Sequence, residues 1–357
     1  MKIKYWDESD IADIKVVSEM RNIKIGYFNN CSVHGIDLHY PHPLIKSGGE
    51  LLLPTIEMFM SLGRGTVYEL DMEWDQKEVT IKKTESNPVF YFVYNMANYF
   101  HWIYDTVPYL YSYFIEKQKT ENLKLLVSTP AGKKDLYPFV YETLELLGIT
   151  KDDLIFLDSN TVYSSVVIGS SLTHNRMSLD PPHLGVFEIL QSIKGPGSGK
   201  EKIYISRRTS TQDKSNNIGT DYTKERICVN EDEVVKLFKT YGFEEVFCEN
   251  LSMGEKVGLF QSAEFIAGPI GGGLSNVIFC NPKTKVLSIN SPEFFSINNR
   301  LEFALRHTDL YHFNDTSFVE RKKEYVPDKN SLSISGGINS PWKVNIDSLK
   351  NKLEKII

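Results

Sequence analysis

The chain has 357 residues, 41% of them apolar and 24% charged, ordinary globular values that exclude wholesale disorder and low-complexity scaffolds. At about 150 residues per domain, this length predicts two domains plus extensions rather than one core. With 40 basic and 46 acidic side chains the net charge is −6, which lacks the footprint of a general nucleic-acid binder. Nucleic acid is therefore not an expected partner. The opening residues have no apolar stretch resembling a secretory signal, and no run of about 18 apolar residues occurs. A cytoplasmic protein is expected, compatible with peripheral association at the inner face of the membrane. The four cysteines, Cys31, Cys228, Cys248 and Cys280, form no CxxC pair, so neither a disulfide framework nor structural zinc is indicated.

Residues 1–85 predict an N-terminal β-rich elaboration, with strand-like pieces at Gly65 to Leu70 and Glu78 to Lys82. From Val89 the pattern alternates: a strand to Tyr94, a helical run to Lys117, a strand at Leu123 to Ser128 and a helix from Tyr137 to Leu147. Strands at Leu154 to Leu157 and Ser165 to Ile168 complete a first α/β domain with a parallel sheet, residues 86–196. The run Gly195-Pro196-Gly197-Ser198-Gly199-Lys200 reads as a flexible linker.

Alternation restarts in a second domain, residues 200–320. Strands are predicted at Lys202 to Ser206, Glu245 to Phe247, Phe265 to Ala267 and Lys285 to Ile289. Asn230 is placed to cap a helix ending near Tyr241, and Ser252 with Glu255 forms an S-x-x-E capping box for a helix ending at Ser262. Residues 321–357 form a C-terminal extension whose last helix spaces Ile346, Leu349, Leu353, Ile356 and Ile357 for packing.

Three groups of residues could carry chemistry. The loop Gly268-Pro269-Ile270-Gly271-Gly272-Gly273 lies between an apolar strand and a short helix starting at Leu274. It suits either a tight structural turn or a cradle in which the amides of Gly271 to Leu274 meet a phosphate. It fits neither G-x-G-x-x-G nor a Walker A loop. Arg207 and Arg208 follow a predicted strand, at the edge where open α/β sheets bind ligands, and guanidinium forks suit phosphate oxygens. In Asn98-Tyr99-Phe100-His101-Trp102-Ile103-Tyr104-Asp105, the i, i+4 spacing puts His101 and Asp105 on one helix face, for either a structural or a catalytic pair. Pro108 must distort that helix near Tyr104. Cys31, His34, His39 and His42 match no standard zinc spacing, and there is no D-x-D metal–diphosphate motif. Asp71, Asp75, Asp152 and Asp153 read as solvated acids, so no metal is expected.

Asn98-Tyr99-Phe100-His101-Trp102 with Asp105 and Pro108, Tyr204-Ile205-Ser206-Arg207-Arg208, Arg226 with Asn230-Glu231, and Gly268-Pro269-x-Gly271-x-Gly273-Leu274-x-Asn276 with Phe279 together resemble glycosyltransferase family 61. The resemblance spans residues 88 to 310 and includes bacterial capsular and exopolysaccharide proteins. The family usually has histidine where this chain has Ile270.

The resemblance implies a GT-B fold of two Rossmann-like parallel-sheet domains facing a cleft. It further implies inversion at the anomeric carbon and a nucleotide-sugar donor held by the C-terminal domain. The expected activity is an inverting, metal-independent hexosyl- or pentosyltransferase that moves a sugar from a nucleoside-diphosphate sugar, foremost a UDP-sugar, to a glycan or lipid-linked glycan. No other cofactor is expected. Asp105 is expected as base with His101 next. Arg207, Arg208 and the amides of Gly271, Gly272, Gly273 and Leu274 are expected on the diphosphate, with Asn276, Asn230 and Glu231 as further donor contacts or helix caps. The alternatives are a non-catalytic nucleotide-sugar-binding subunit and a sugar-nucleotide epimerase.

Overall fold

The structure, a computed structural model, describes residues 3–4, 23–34, 44–47, 50–52, 80–93, 96–130, 133–170, 172–173, 185–208, 226–292, 308–319 and 340–357. The expected strand at Gly65 to Leu70, together with Asp71, Asp75, His39 and His42, lies outside these residues. Two compact units divide the chain, Met1–Ile189 and Leu190–Ile357. Among the described residues no helix is long and apolar enough to cross a membrane.

The first unit is built on a mixed sheet. Its strands are β1 (Ile3–Lys4), β2 (Ile25–His34), β3 (Leu44–Ser47), β4 (Glu50–Leu52), β5 (Lys83–Glu85), β6 (Val89–Tyr91), β7 (Lys124–Val127), β8 (Leu154–Phe156) and β9 (Thr161–Gly169). They lie in the order β1-β4-β3-β2-β9-β6-β7-β8, with β5 also on β9. The expected parallel arrangement holds from β9 through β6 and β7 to β8. Beyond β9 it fails: β2 pairs antiparallel with β9 along most of its length, and β3 and β4 continue antiparallel. In β2, buried Ile25, Phe28, Cys31 and Val33 are interspersed with exposed Tyr27 and Asn29. One solvated face of this kind suits an antiparallel strand and not a doubly covered parallel one.

Helices carry the chain across this sheet. An α turn, α1 (Tyr99–His101), runs through a π-helical segment (Trp102–Thr106) and a 3-10 segment (Val107–Tyr109) into α2 (Leu110–Lys117); α3 (Pro138–Leu146) and α4 (Gly185–Ser192) follow. Pro108 is the cause of the irregularity. It has no N–H to give to Tyr104, and the Val107 N–H reaches five residues back to the Trp102 carbonyl.

The second unit has a parallel sheet of β10 (Lys202–Ile205), β11 (Glu244–Val246), β12 (Phe265–Pro269), β13 (Lys285–Ile289) and β14 (Asp309–Phe313), in the order β11-β10-β12-β13-β14. Helices α5 (Glu231–Thr240) and α6 (Met253–Ser262) make the crossovers. The capping box of α6 forms as its spacing predicts: Ser252 Oγ accepts from the Glu255 N–H, and Glu255 accepts from the Ser252 N–H at 2.8 Å. A hairpin of β15 (Thr316–Phe318) and β16 (Trp342–Val344) leads to α7 (Ile346–Ile356). Leu349, Leu353 and Ile356 of α7 join Tyr204, Phe238 and Trp342 in the core. Each such aliphatic side chain contributes about 1.5–3 kcal/mol on burial. Asn230 precedes α5 but does not cap it. Its side chain instead bonds the Val344 N–H and carbonyl, both at 2.9 Å, tying β16 to the start of α5.

The Gly195–Lys200 run is docked on α6, contrary to its reading as a flexible linker. Gln261 Nε2 donates to the Ile193 carbonyl at 2.6 Å, Gln261 Oε1 accepts from the Gly195 N–H, and Ser198 and Ser262 share a hydroxyl bond of 2.8 Å. The approach is so close that a Cβ on Gly258 would lie 1.7 Å from the Pro196 carbonyl oxygen. Gly258→Ala is therefore expected to destabilise the protein by about 1–3 kcal/mol, as overpacking does, lowering the melting temperature by roughly 2–4 °C per kcal/mol. In the same helix, a Cβ on Gly254 would meet nothing within 4 Å. Gly254→Ala should leave the melting temperature unchanged or raise it, because alanine is the better helix former. Equal melting temperatures for Gly258→Ala and the natural protein would show that this docking contributes nothing to stability.

Candidate functional site

The strand order of the second unit fixes where a ligand belongs. From β10 the chain moves to β11 on one side, then crosses to β12 on the other. The carboxyl ends of β10 and β12 thus flank the topological switch point, where open α/β sheets bind ligands. Two of the expected elements meet there: Ser206 to Arg208 after β10, and the glycine loop after β12.

Contact with arginine explains one of the glycines. A Cβ on Gly271 would lie 2.5 Å from Arg207 Nη1 and 3.6 Å from Arg226 Nη2. Arg207 Nη1 donates to the Ile270 carbonyl at 2.9 Å, and Arg226 Nη2 reaches the same oxygen at 3.4 Å. Gly273 is constrained differently, since its Cβ would press to 2.8 Å from Ile205. No acceptor among the described residues takes the N–H groups of Gly271, Gly272 and Gly273. The loop is therefore a tight packing element and a row of available donors at once. Leu274 opens a 3-10 helix, Leu274–Phe279, and not an α-helix. The dipole support expected behind the loop is accordingly small, and the amides and arginines carry the positive potential.

Glu231, first residue of α5, supports this arrangement from below. It is buried and accepts from the Arg207 main-chain N–H at 2.8 Å, the Tyr204 hydroxyl at 3.3 Å and the Ser206 hydroxyl at 3.4 Å. Burial raises its pKa, opposed by the Arg207 amide and guanidinium. Burial also lowers the pKa of Arg207, against the pull of Glu231. Arg226 is pushed well below the usual arginine range, by burial and then by the charge of Arg207.

The other expected donor contacts make bonds within the protein. The Arg208 fork holds Glu245 through Nε at 2.8 Å and Nη2 at 2.5 Å, and Nη1 meets Asp232 at 2.5 Å. Arg207 and Arg208 leave the end of an extended strand, where successive side chains turn to opposite sides. Asn276 is fully buried and donates to the Gly273 carbonyl at 2.8 Å, which fixes the loop. Asn230 belongs to the β16 clamp. Arg226 has no assigned role from sequence alone; its presence in the family pattern is the signal that marks it.

In the first unit, Asn98 caps α1, its side chain accepting from the N–H groups of Phe100 at 3.0 Å and His101 at 3.3 Å. The helix is wedged by Trp102, whose indole N–H bonds Thr143 of α3 at 3.1 Å and whose ring meets Phe92 edge-on. This presents His101 and Asp105 as a tight pair, Nδ1 to Oδ2 at 2.5 Å. Their environments differ: the Asp105 side chain is 0% exposed and that of His101 34%. Solvent reaches the imidazole and not the carboxylate. The imidazole is thus the accessible member of the pair, and the carboxylate, expected as the first of the two, lies buried behind it. Among the described residues no group of three or more His, Cys, Asp or Glu could hold a metal ion.

Gly271→Ala tests the loop. The methyl group must displace the Arg207 guanidinium, the movable partner in that contact. Binding of a nucleoside diphosphate should fall by about 10-fold or more, the worth of one charge-assisted hydrogen bond, with little change in melting temperature. Unchanged binding, measured by calorimetry, would mean that Arg207 does not need that position.

The family described as Glycosyltransferase 61 matches residues 99–287. No curated protein matches the chain. The matched stretch begins at the α1 turn beside His101, runs through Arg207, Arg226 and the glycine loop, and ends in β13. It covers just over half of the 357 residues, and the chain belongs to glycosyltransferase family 61.

Proposed function

We propose that the chain is an inverting, metal-independent glycosyltransferase of the GT-B type. In this reading it takes a sugar from a nucleoside-diphosphate donor, foremost a UDP-sugar, and delivers it to a hydroxyl of a glycan or lipid-linked glycan. The process served is capsular or other extracellular polysaccharide synthesis, at the cytoplasmic face of the membrane. The observation that carries it is the convergence, at the switch point of the second unit, of Arg207 and the amides of Gly271 to Gly273, which no acceptor among the described residues takes. Backbone donors and a guanidinium at one place suit a diphosphate, and they can stabilise the charge that grows on it as it departs.

The reaction needs one proton acceptor and one stabilised leaving group. The acceptor hydroxyl attacks the anomeric carbon from the side opposite the diphosphate, and its proton passes to Nε2 of His101. The bond from the anomeric carbon to the diphosphate oxygen breaks, and its electron pair leaves with that oxygen toward Arg207 and the glycine amides. Asp105, bonded to Nδ1, keeps the proton on that nitrogen, leaves the Nε2 lone pair free, and stabilises the imidazolium that forms.

His101→Ala is expected to lower kcat by about 10²- to 10⁴-fold, the usual contribution of a general base. Asp105→Asn should lower it by no more than that, since the imidazole remains. Both variants should bind donor almost normally if the diphosphate is held by the second unit. A larger loss for Asp105→Asn at unchanged melting temperature would make the carboxylate the base. Near-normal turnover in both would remove the pair from the mechanism.

Metal dependence is a separate test. With cationic side chains and amides in place of a divalent ion, turnover in EDTA should stay within about twofold of the untreated rate. Loss of activity that Mn²⁺ or Mg²⁺ restores would overturn that part of the reading.

A further inference from the structure

The residue before His101 has no part in the reaction described above, and its ring is held in a particular way. Phe100 is partly exposed and lies flat against Tyr104, four residues on, with ring centroids 4.8 Å apart and planes within 14°. Tyr104 is fully buried. The same arrangement recurs at the start of α3, where Tyr137, also partly exposed, stacks on the fully buried Phe139 at 5.4 Å and 8°. Phe139 in turn meets Tyr99 and Trp102, which bracket Phe100 and His101 in the chain. Helix α1 follows β6, α3 follows β7, and those two strands are parallel neighbours. Both outer rings therefore belong to the carboxyl edge of the first sheet, the edge that carries His101.

A ring stacked flat on a buried one turns its other face away from the core, and the buried partner keeps it from tilting. Such a ring is preorganised, so little entropy is lost when something flat is laid on it. The face of an aromatic ring carries negative charge, which disfavours an anion there and favours the weakly positive C–H groups of a neutral ligand. A pyranose meets both demands, with an apolar face of C–H groups and hydroxyls at its rim. The Phe100 and His101 ring centroids are 5.6 Å apart with planes at 81°, so a sugar resting on Phe100 carries its rim hydroxyls alongside the imidazole. We propose that Phe100 and Tyr137 are stacking platforms for two sugar units of the acceptor, the unit on Phe100 presenting the hydroxyl that His101 deprotonates. The proposal rests on the reading of the chain as a glycosyltransferase with His101 as base. It adds that the acceptor is recognised through its sugar rings, over at least two units, and not through a lipid. Lys133 is exposed, with Nζ 5.6 Å from the Tyr137 centroid, and supplies a hydrogen-bond donor for the rim of the unit on that ring.

The test screens the natural protein, with UDP present, against an array of mono- and oligosaccharides and titrates the tightest binder by calorimetry. Affinity should rise from the single sugar to its two-unit form, a comparison that needs no variant. Phe100→Leu and Tyr137→Leu, which keep apolar bulk but lose the flat face, should each weaken that oligosaccharide by about 10-fold, as loss of one aromatic contact does. Phe100→Tyr and Tyr137→Phe keep the ring and should bind like the natural protein. UDP affinity, measured on the same samples, should be the same throughout. The leucine variants should melt lower, because each loses a stack on a buried ring, so binding is compared well below their melting temperatures. Lower melting with normal oligosaccharide affinity would make the rings packing elements and overturn the proposal. So would equal affinity for one unit and two, or binding to vesicles containing a polyprenyl phosphate with no oligosaccharide bound, which would assign the patch to a lipid carrier. An array on which nothing binds, with UDP still bound, would overturn it and leave the donor reading intact. If UDP failed to bind as well, the functional reading itself would fail, and this inference with it.

Discussion

Gathering positive charge at the carboxyl end of a parallel sheet works against folding, and the second unit depends on how this is managed. Guanidinium groups brought near each other repel, by about 4 kcal/mol for unit charges about 4 Å apart at the effective dielectric of a protein surface. Glu231 offsets part of this from the first turn of α5, and it acts mainly through the Arg207 main-chain N–H, which sets the direction in which the strand leaves the sheet. The Ile270 carbonyl absorbs more, as acceptor for both arginines. The glycines follow from the same demand: Gly271 has no side chain because the guanidinium already fills that space. Charge, strand order and glycine spacing are thus one solution and not three separate features.

The first unit has a different constraint, the proline in the middle of its leading helix. Pro108 converts the segment ahead of it to π geometry, and within that segment the carboxylate of Asp105 is buried, while His101, just before it in α1, stays partly exposed. Such insertions are common where a helix carries chemistry, because they let one side chain leave the regular helical pattern without breaking the helix. The aromatic packing of Tyr99, Trp102 and Phe139 holds the result in place.

Local signals in the sequence were reliable where the structure is set locally. The α6 capping box, the distortion at Pro108, strand β13 and the apolar face of α7 all follow from short-range stereochemistry. Pairings between distant segments were not legible. The antiparallel addition of β2, β3 and β4 joins β9 across more than a hundred residues, and nothing near either strand announces it. The docked Gly195–Lys200 run was hidden for the same reason: its composition is that of a linker, and the close approach depends on a glycine far along the chain, Gly258, together with Gly195. At the site, spacing put His101 beside Asp105 but carried no information about which is buried. The adjacency of Arg207 and Arg208 suggested a joint role, although alternation at a strand end sends them apart. Asn230 looked like a helix cap because residue type and position fit one, yet β16 engages both ends of its side-chain amide.

The shared use of the Ile270 carbonyl also bears on how this site can change over evolutionary time. Main-chain oxygen is present whatever the residue, so the anchoring of the two arginines does not depend on the identity of the side chain at that position. The Ile270 side chain is buried, and its N–H continues the ladder to Ile289. A change at position 270 therefore leaves the acceptor oxygen in place, whereas at its neighbour 271 any side chain displaces a cation. A different side chain at residue 270 therefore says little about whether the arginines behind it are still in place, while one at residue 271 says a great deal.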